Sequence, residues 1–573
     1  MRILILCHAF NSLTQRLYLD LMQHGHEVSI EFDIADSVSE EAVDLFRPEL
    51  IVATYLRRAI PRSIWSKRVC MVVHPGIVGD RGPSALDWVL QEGQESRWGV
   101  TVLQAEAEAE MDAGPVWASE EFPLRAATKG SLYRNEVTEA ASRALLAAID
   151  RYAAGQRPIP LADAPGRGRL RPLLPQAERR IDWRHDGSAA VLAKIRAADG
   201  FPGVADSLWG EACHLYDAWP QTDLPDQFLG AAPGQVVARR ETALLRRTVD
   251  GAVWIGQVKR DAAASAVKLP AALAFGAELP PLPTLPLDGW WAQAGTWQDI
   301  AYLEAGEVGV LSFEFYNGAM GTEQCRRLGE ALRWAQQRPT RVLLLTGGED
   351  FWSNGIHLNL IESAESPADE SWRNIEAMDD LAEALIANDR QLTVAALQGN
   401  AGAGGVFLAR AADLVWARQG VLLNPHYKNM GNLYGSEYWT YLLPPRVGVD
   451  GAAAIMQQRR PMDAAEALRC GLIDACLAVP RADFAAEALR RAQQLAAQWP
   501  QRSAAKRERR AADEATKPLA QYRAEELAHM RRNFYGFDPS YHVARYHFVH
   551  KTPVAWTPRH LARHRDLDWT LPQ

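Results

Sequence analysis

The sequence predicts a multidomain α/β protein that contains a small β module and ends in a helical extension. Residues 1–125 and 299–500 alternate short apolar runs with helical patterns, which is typical of layered α/β folds. Stretches rich in proline and glycine separate these regions. At about 100 to 200 residues per domain, a chain of this length forms three or four structural units.

The boundaries between units follow changes in composition. Residues 155–180 are rich in Gly, Pro and Arg, and residues 279–286 are rich in Pro, as expected of connecting segments. We therefore predict five segments, which are a first α/β domain (1–160), a β module (161–278), a linker (279–298), a second α/β domain (299–500) and a helical extension (501–573).

The first domain contains five short apolar runs, at 3–7, 28–32, 50–54, 69–74 and 99–104. Their alternation with helical stretches predicts a parallel sheet covered by helices, as in Rossmann-like domains. The first helix is predicted to begin with a capping box at 12–15 and to stop at Gly25. No G-x-G-x-x-G loop follows the first run, so dinucleotide binding is disfavoured.

The later segments repeat the contrast between β and α/β patterns. A helix at 188–198 and alternating runs at 234–239 and 252–259 predict a mainly β module. Runs at 308–315, 341–347, 393–398 and 414–417 predict a second α/β layer. The charged chain after 501 reads as helical, and we expect its basic run at 506–510 to be a solvated helical face.

Composition disfavours several kinds of partner. A net charge of −8 and a pI near 6.0 argue against nucleic acid. The chain has no membrane-length apolar run and no signal-peptide pattern, so we expect a cytoplasmic protein that does not contact membranes. The six cysteines form no C-x-x-C pair, and His542, His547 and His550 do not share one helical face, so we expect no metal.

The first candidate site begins at His74, in the stretch MVVHPGIVGDRGP at 71–83. Ligands of open α/β sheets bind beyond the carboxyl ends of strands, and His74 ends the fourth predicted strand. Asp112 lies on a turn that can return to the same edge, where a carboxylate would orient the imidazole for proton transfer. The alternative is that His74 only caps a turn.

These residues resemble the 10-formyltetrahydrofolate-dependent formyltransferases. The resemblance rests on VVH at 72–74, RGP at 81–83, GVT at 99–101 and DAG at 112–114, and it extends to RIDW at 180–183. It implies that His74 and Asp112 are catalytic, that Arg81 and Gly82 bind the folate, and that 10-formyltetrahydrofolate is the formyl donor. It also implies that 1–160 is the amino-terminal domain of such an enzyme and that 161–278 is its small OB-like barrel.

One position departs from the formyltransferase pattern. The family has asparagine where this chain has Val72, and valine cannot donate a hydrogen bond to a developing oxyanion. Losing one such donor typically costs about 2.7 to 4 kcal/mol of transition-state stabilisation. Either this site is inactive, or the acceptor is a thiolate, which is a better nucleophile than a protonated amine.

The second candidate site combines two loops, FWSNGIHL at 351–358 and GNAGAGG at 399–405. Two loops of small residues at strand ends can present backbone N–H groups to one oxygen, although close helix packing also selects glycine. The loops resemble the crotonase (enoyl-CoA hydratase/isomerase) superfamily. This implies a superhelical α/β domain in which Ile356 and Gly404, with Gly405 beside them, bind a coenzyme A thioester.

The catalytic carboxylates of enoyl-CoA hydratases are missing from this chain, because Phe407 and His426 stand in their places. The segment 424–438 instead introduces new polar residues beside the predicted thioester pocket. We expect Tyr427 and Glu437 to be the acid/base pair, with His426 and Tyr434 nearby. The alternative is an ordinary surface loop.

The combination of both domains resembles a family of hydrogenase maturation factors, including its tail at 535–542 and 557–562. The resemblance implies a bifunctional enzyme that formylates coenzyme A and then decarbonylates formyl-CoA to carbon monoxide, a ligand of NiFe hydrogenase. It also implies other maturation proteins as partners. Two alternatives remain, which are an amine or sugar formyltransferase fused to an acyl-CoA hydrolase, and an inactive scaffold for hydrogenase assembly.

Overall fold

The computed structural model of the protein describes residues 1–106, 112–262 and 266–566. The strands of this part of the chain form four sheets. Within the same residues, no helix combines the length and the apolar composition needed to cross a bilayer.

The first sheet is mixed rather than parallel. Its strands follow the order β2-β1-β3-β4-β5-β6, and they are β1 (Arg2–Cys7), β2 (Glu27–Phe32), β3 (Leu50–Tyr55), β4 (Cys70–His74), β5 (Arg97–Gln104) and β6 (Val116–Pro123). The strands β1 to β4 are parallel, whereas β5 is antiparallel to both β4 and β6. The predicted parallel sheet is therefore wrong beyond β4, because alternating elements indicate layers but not the direction of each strand.

Helices cover this sheet, as predicted. They are α1 (Ser12–Gln23), α2 (Asp36–Phe46), α3 (Arg62–Trp65), α4 (Ala85–Glu92), α5 (Lys129–Leu132) and α6 (Thr138–Ala153). The predicted capping box at 12–15 is wrong by one residue: the side chain of Asn11 caps α1 by accepting a hydrogen bond from Thr14 N–H at 3.0 Å. Asn is among the preferred residues at this position.

The second sheet is antiparallel and open. After α7 (Gln176–Arg179) and α8 (Ser188–Ala198) come β7 (Val204–Leu208), β8 (Glu211–Gln221), β9 (Val236–Arg240), β10 (Ala243–Arg247), β11 (Ala252–Arg260) and β12 (Leu269–Pro270), in the order β7-β8-β11-β10-β9 with β12 beside β11. A closed barrel is absent from the described residues, so that detail of the prediction is wrong. The edge of β9 is covered instead by the proline-rich linker, since Arg239 N–H donates to Pro283 O at 2.9 Å.

Two sheets and a shell of helices form the second α/β domain. One sheet runs β13-β14-β15-β17-β19-β22 and the other β16-β18-β20-β21. In chain order the elements are β13 (Ile300–Ala305), β14 (Val308–Phe313), α9 (Thr322–Ala335), β15 (Val342–Thr346), β16 (Phe351–Ser353), α10 (Leu358–Ser363), α11 (Pro367–Ile386), β17 (Leu392–Leu397), β18 (Asn400–Gly402), α12 (Gly404–Arg410), β19 (Leu414–Arg418), β20 (Leu422–Asn424), α13 (Trp439–Leu442), α14 (Pro444–Val447), α15 (Val449–Gln458), β21 (Met462–Asp463), α16 (Ala464–Arg469), β22 (Ala475–Leu477) and α17 (Phe484–Ala496).

The carboxyl-terminal extension consists of α18 (Trp499–Thr516), α19 (Leu519–Tyr535) and α20 (Ser540–His550). Met530, Phe534 and Tyr541 are buried in the core of the second α/β domain, so the extension packs against that domain. The predicted solvated face at 506–510 is wrong for Lys506, which is buried and pairs with Asp413 at 2.6 Å.

Two candidate active sites

His74 lies at the carboxyl end of β4 between two carboxylates. Its Nε2 is 3.1 Å from Asp80 Oδ2, and its Nδ1 is 3.5 Å from Asp112 Oδ2. His74 and Asp80 are both buried. The structure thus brings together His74 and Asp112, which the sequence singled out, and adds Asp80, which sequence reasoning missed although it is the one acid in an otherwise apolar, turn-rich loop.

Asp80 is held in turn by Arg171. The guanidinium donates from Nη1 to Asp80 Oδ1 at 2.5 Å, and it lies 5.2 Å from the centre of the Trp98 ring. Arg171 belongs to the segment 155–180, which pairs with the active-site loop because Arg171 N–H donates to Arg81 O at 2.8 Å. This segment is therefore a structural part of the first site.

Glycines let the loop after β4 fold closely around these side chains. A Cβ on Gly76 would lie 2.3 Å from His74 Nε2 and 2.6 Å from Asp80 Oδ2. Gly82, at φ +107°, donates from its N–H to Asp112 Oδ2 at 3.2 Å. Arg81 and Gly82 thus lie beside the His74 cluster, and their binding of folate stays a prediction.

Val72 lies on the same face of β4 as His74, because side chains two residues apart on a strand point the same way. It pairs with Ala53 and Leu103 in the sheet. Its apolar side chain offers no hydrogen-bond donor beside His74.

In the second site, the loops that follow β16 and β18 meet at glycines. Gly355 adopts φ +79° and Ala403 adopts φ +48°, and a Cβ on Gly355 would lie 3.4 Å from Gly404 N. The Trp352 indole joins the loops by donating from Nε1 to Gly405 O at 2.9 Å. The N–H groups of Ile356 and Gly404 donate to no other group in the part of the chain that the structure describes. Both are therefore able to bind one external oxygen, as an oxyanion hole requires.

Tyr427 and Glu437 are in direct contact beside the loop at 399–405, which we call the oxyanion loop. Tyr427 Oη donates to Glu437 Oε2 at 2.5 Å, and a Cβ on Gly404 would lie 2.1 Å from Glu437 Oε1. The ring of Phe407 stacks on Tyr427 with centroids 5.7 Å apart. Phe407, which stands where hydratases have their first catalytic glutamate, therefore packs against the predicted acid/base pair.

The pair is deeply buried, which favours its protonated forms. Burial, with added repulsion from Asp379 and Glu526, raises the pKa of Glu437 to about 8. Burial and the neighbouring Glu437 carboxyl hold the pKa of Tyr427 well above its usual value. Glu437 is thus able to donate a proton near neutral pH.

The side chains of His426 and Tyr434 have different surroundings from those of the Tyr427–Glu437 pair. Burial lowers the pKa of His426 to about 4, and within the described ranges neither of its ring nitrogens has a hydrogen-bond partner. The Tyr434 ring stacks on His529 of α19 with centroids 3.9 Å apart. A catalytic role for His426 stays a prediction, and no hydrogen bond joins its side chain to Tyr427 or Glu437 in the described chain.

Models of known families match two parts of the chain. The enoyl-CoA hydratase/isomerase family matches residues 315–559, and the carboxyl-terminal domain of formyl transferases matches residues 173–268. The methionyl-tRNA formyltransferase of Stenotrophomonas maltophilia is 24% identical over 246 residues, covering 42% of this chain and 78% of that protein.

Other relatives match over the full length. The hydrogenase maturation factor HoxX of Bradyrhizobium diazoefficiens is 54% identical over 567 residues, which cover 99% of this chain and 97% of that protein. The crystal structure of HypX from Aquifex aeolicus in complex with tetrahydrofolic acid covers 100% of both chains, with a TM-score of 0.94 and 44% identity. The chain, in which formyltransferase and crotonase folds are joined, therefore belongs to the HypX/HoxX family of hydrogenase maturation factors.

Proposed function

We propose that the protein transfers a formyl group from 10-formyltetrahydrofolate to coenzyme A at the first site and decarbonylates formyl-CoA at the second. The carbon monoxide becomes a ligand of the NiFe hydrogenase active site, and the protein acts with other maturation proteins. The observation that carries this proposal is the buried Tyr427–Glu437 pair, whose hydroxyl and carboxyl oxygens are 2.5 Å apart. It lies beside Gly404, whose N–H donates to no group among the residues that the structure describes.

In the first step, His74 removes the proton from the thiol, and Asp80 and Asp112 on either side compensate the imidazolium charge. The sulfur attacks the formyl carbon, the C–N bond to the folate breaks, and His74 returns the proton to the folate nitrogen. Val72 favours a thiol as acceptor, since a thiolate needs less help from the site than an amine does. Folate binding is supported by the HypX structure with tetrahydrofolic acid.

In the second step, the N–H groups of Ile356 and Gly404 bind the thioester oxygen. The C–S and C–H bonds of the formyl group break, the sulfur receives a proton from Glu437, and the Tyr427–Glu437 pair recovers a proton from the formyl carbon. The products are carbon monoxide and the free thiol, and the Tyr427–Glu437 pair returns to its starting protonation state. Because formyl-CoA has no α-carbon, it has no α-proton for hydratase glutamates to transfer. This agrees with the replacement of the first of these glutamates by Phe407.

The test incubates the purified protein with 10-formyltetrahydrofolate, with and without coenzyme A, and follows carbon monoxide through the spectrum of reduced haemoglobin. We expect gas only when coenzyme A is present. Consumption of the folate that depends on an added amine and ignores coenzyme A would support a different formyltransferase. No formyl-CoA and no gas would leave the scaffold alternative.

A further inference from the structure

Three carboxyl groups are buried together behind the oxyanion loop. Glu437 lies in the loop before α13, Asp379 is on α11 and Glu526 is on α19 of the carboxyl-terminal extension, and each is at most 1% exposed. Like charges in a dry interior repel one another strongly, so such a cluster cannot hold all three groups in the charged form.

The hydrogen bonds of the cluster differ from group to group. Glu526 accepts at both oxygens, from Tyr438 N–H at 2.9 Å and from the N–H and hydroxyl of Thr440 at 2.8 and 2.5 Å. Asp379 Oδ1 accepts from Glu437 N–H at 2.8 Å and from Ser436 Oγ at 2.5 Å. Donors of this kind stabilise the ionised form of a carboxyl group.

Glu437 has less of this stabilisation. Its carboxyl is close to the Tyr427 hydroxyl at 2.5 Å and to the backbone of Ser436, and these two contacts do not offset its burial, because its pKa is still raised. The ionisable groups that face Glu437 include Asp379 on α11, Glu526 on α19 and Cys325 on α9, and Arg523 of α19 lies beside Asp379. Arg523 lies 3.9 Å from Asp379 and 2.7 Å from Asp380, so its charge favours ionised Asp379. Burial raises the pKa of Glu526 to about 8 as well, but Glu526 accepts hydrogen bonds from three donors at 2.5 to 2.9 Å. The geometry of these bonds therefore favours the proton on Glu437.

The backbone of Glu437 also depends on these neighbours. Glu437 and Tyr438 adopt φ values of +58° and +60°, and consecutive left-handed residues other than glycine persist only where their surroundings impose that conformation. Glu526 accepts hydrogen bonds from the N–H groups of Tyr438 and Thr440, while Asp379 accepts one from the N–H of Glu437 itself. Two further residues of α19 anchor the same loop, since Asn533 accepts from Tyr434 N–H and Met530 Sδ accepts from Gly435 N–H.

We propose that Glu526 is a positioning residue that fixes the Glu437 carboxyl against the oxyanion loop and keeps it protonated for transfer to the leaving sulfur. The catalytic part of this statement rests on the proposed function. The second site is therefore completed by the carboxyl-terminal extension, and α19 belongs to the active site although it lies outside the crotonase-like sheets.

The first test measures protonation without turnover. In isotope-edited infrared spectra of the full-length protein, we expect a protonated carboxyl band at neutral pH that is absent in Glu437→Gln. In Glu526→Gln, which removes the charge and keeps the shape, that band should titrate at lower pH. The neighbouring Glu525→Gln is the matched control, because Glu525 is exposed and pairs with Lys517. Titration at the wild-type pH in Glu526→Gln, or no such band in the wild type, would overturn the proposal.

The second test supplies formyl-CoA to the same variants. Glu526→Gln should lower kcat for carbon monoxide release at least tenfold with little change in KM, and it should move the high-pH limb of kcat to lower pH. Formyl transfer from 10-formyltetrahydrofolate should be unchanged, which checks the fold.

Glu526→Asp is the charge-keeping control. Because it retains the carboxylate, its kcat should fall at high pH as in the wild type, although kcat itself is reduced. A high-pH limb displaced as in Glu526→Gln would refute the role of charge. A wild type without gas would reject the proposed function, while the infrared titration still decides the position of the proton.

Discussion

His74 and Glu437 are both buried titratable groups with carboxylates against them, but the consequences are opposite. Asp80 and Asp112 flank an imidazole, so their charges compensate a cation when the ring takes up a proton. Asp379 and Glu526 flank another acid, so their charges favour its neutral form. The first arrangement suits a base, and the second suits an acid.

The wild-type protein should therefore show a distinctive pH dependence in its second step. The pKa of Glu437 is raised to about 8 by burial and by the nearby carboxylates. Its acid form is present below that pH and is lost as the pH rises through it. We expect carbon monoxide release from added formyl-CoA to decline above about pH 8, measured as kcat across a pH series. A rate that keeps rising above this pH would argue against Glu437 as the proton donor.

One connecting segment and one helix contribute residues to sites that lie outside their own domains. The segment 155–180 provides Arg171 to the first site, and α19 provides Glu526 to the second. Both contribute a charged side chain to a buried partner, so removal of either leaves an unpaired group in the interior.

Arg171→Met should therefore destabilise the first domain. The guanidinium is 6% exposed and its partner Asp80 is 0% exposed, and breaking a buried pair of this kind typically costs about 3 to 5 kcal/mol. The first unfolding transition in urea measures this loss. Arg169→Met is the control, because Arg169 is exposed and pairs with Glu92 on the surface. The double variant Asp80→Asn/Arg171→Met should recover part of the stability, and an Arg171→Met protein as stable as the wild type would contradict the buried pairing.

Across the whole molecule, several contacts join the two sites into one body. Asn424 donates to Gln15 Oε1 at 3.2 Å, and Arg134 pairs with Asp350 at 3.0 Å. The tail after α20 returns to β2, where His564 Nε2 is 2.9 Å from the buried carboxylate of Glu31. The amino-terminal sheet is thus held between the second α/β domain and the end of the extension.

Variants of the two sites should separate the two reactions. His74→Ala should form no formyl-CoA but should release carbon monoxide from added formyl-CoA at the wild-type rate. Tyr427→Phe should accumulate formyl-CoA and lose gas release by a factor of about 10² or more, as expected when a proton-transferring group is removed. Chromatography of the acyl-CoA and the haemoglobin spectrum measure both. Identical phenotypes would contradict the assignment of one reaction to each site.

The sequence determined the layers of both α/β domains and the loops that carry His74, Tyr427 and Glu437, because apolar periodicity and glycine-rich strand ends are local signals. It failed where local signals carry no information, as in the direction of β5 and in the second sheet, which stays open where a closed barrel was expected. Only the tertiary structure decided which distant side chains complete each site. Arg171 lies 91 residues from Asp80, and Glu526 lies 88 residues from Tyr438. Such pairs form because folding buries a charge that then requires a partner, and that requirement leaves no periodic trace in the sequence.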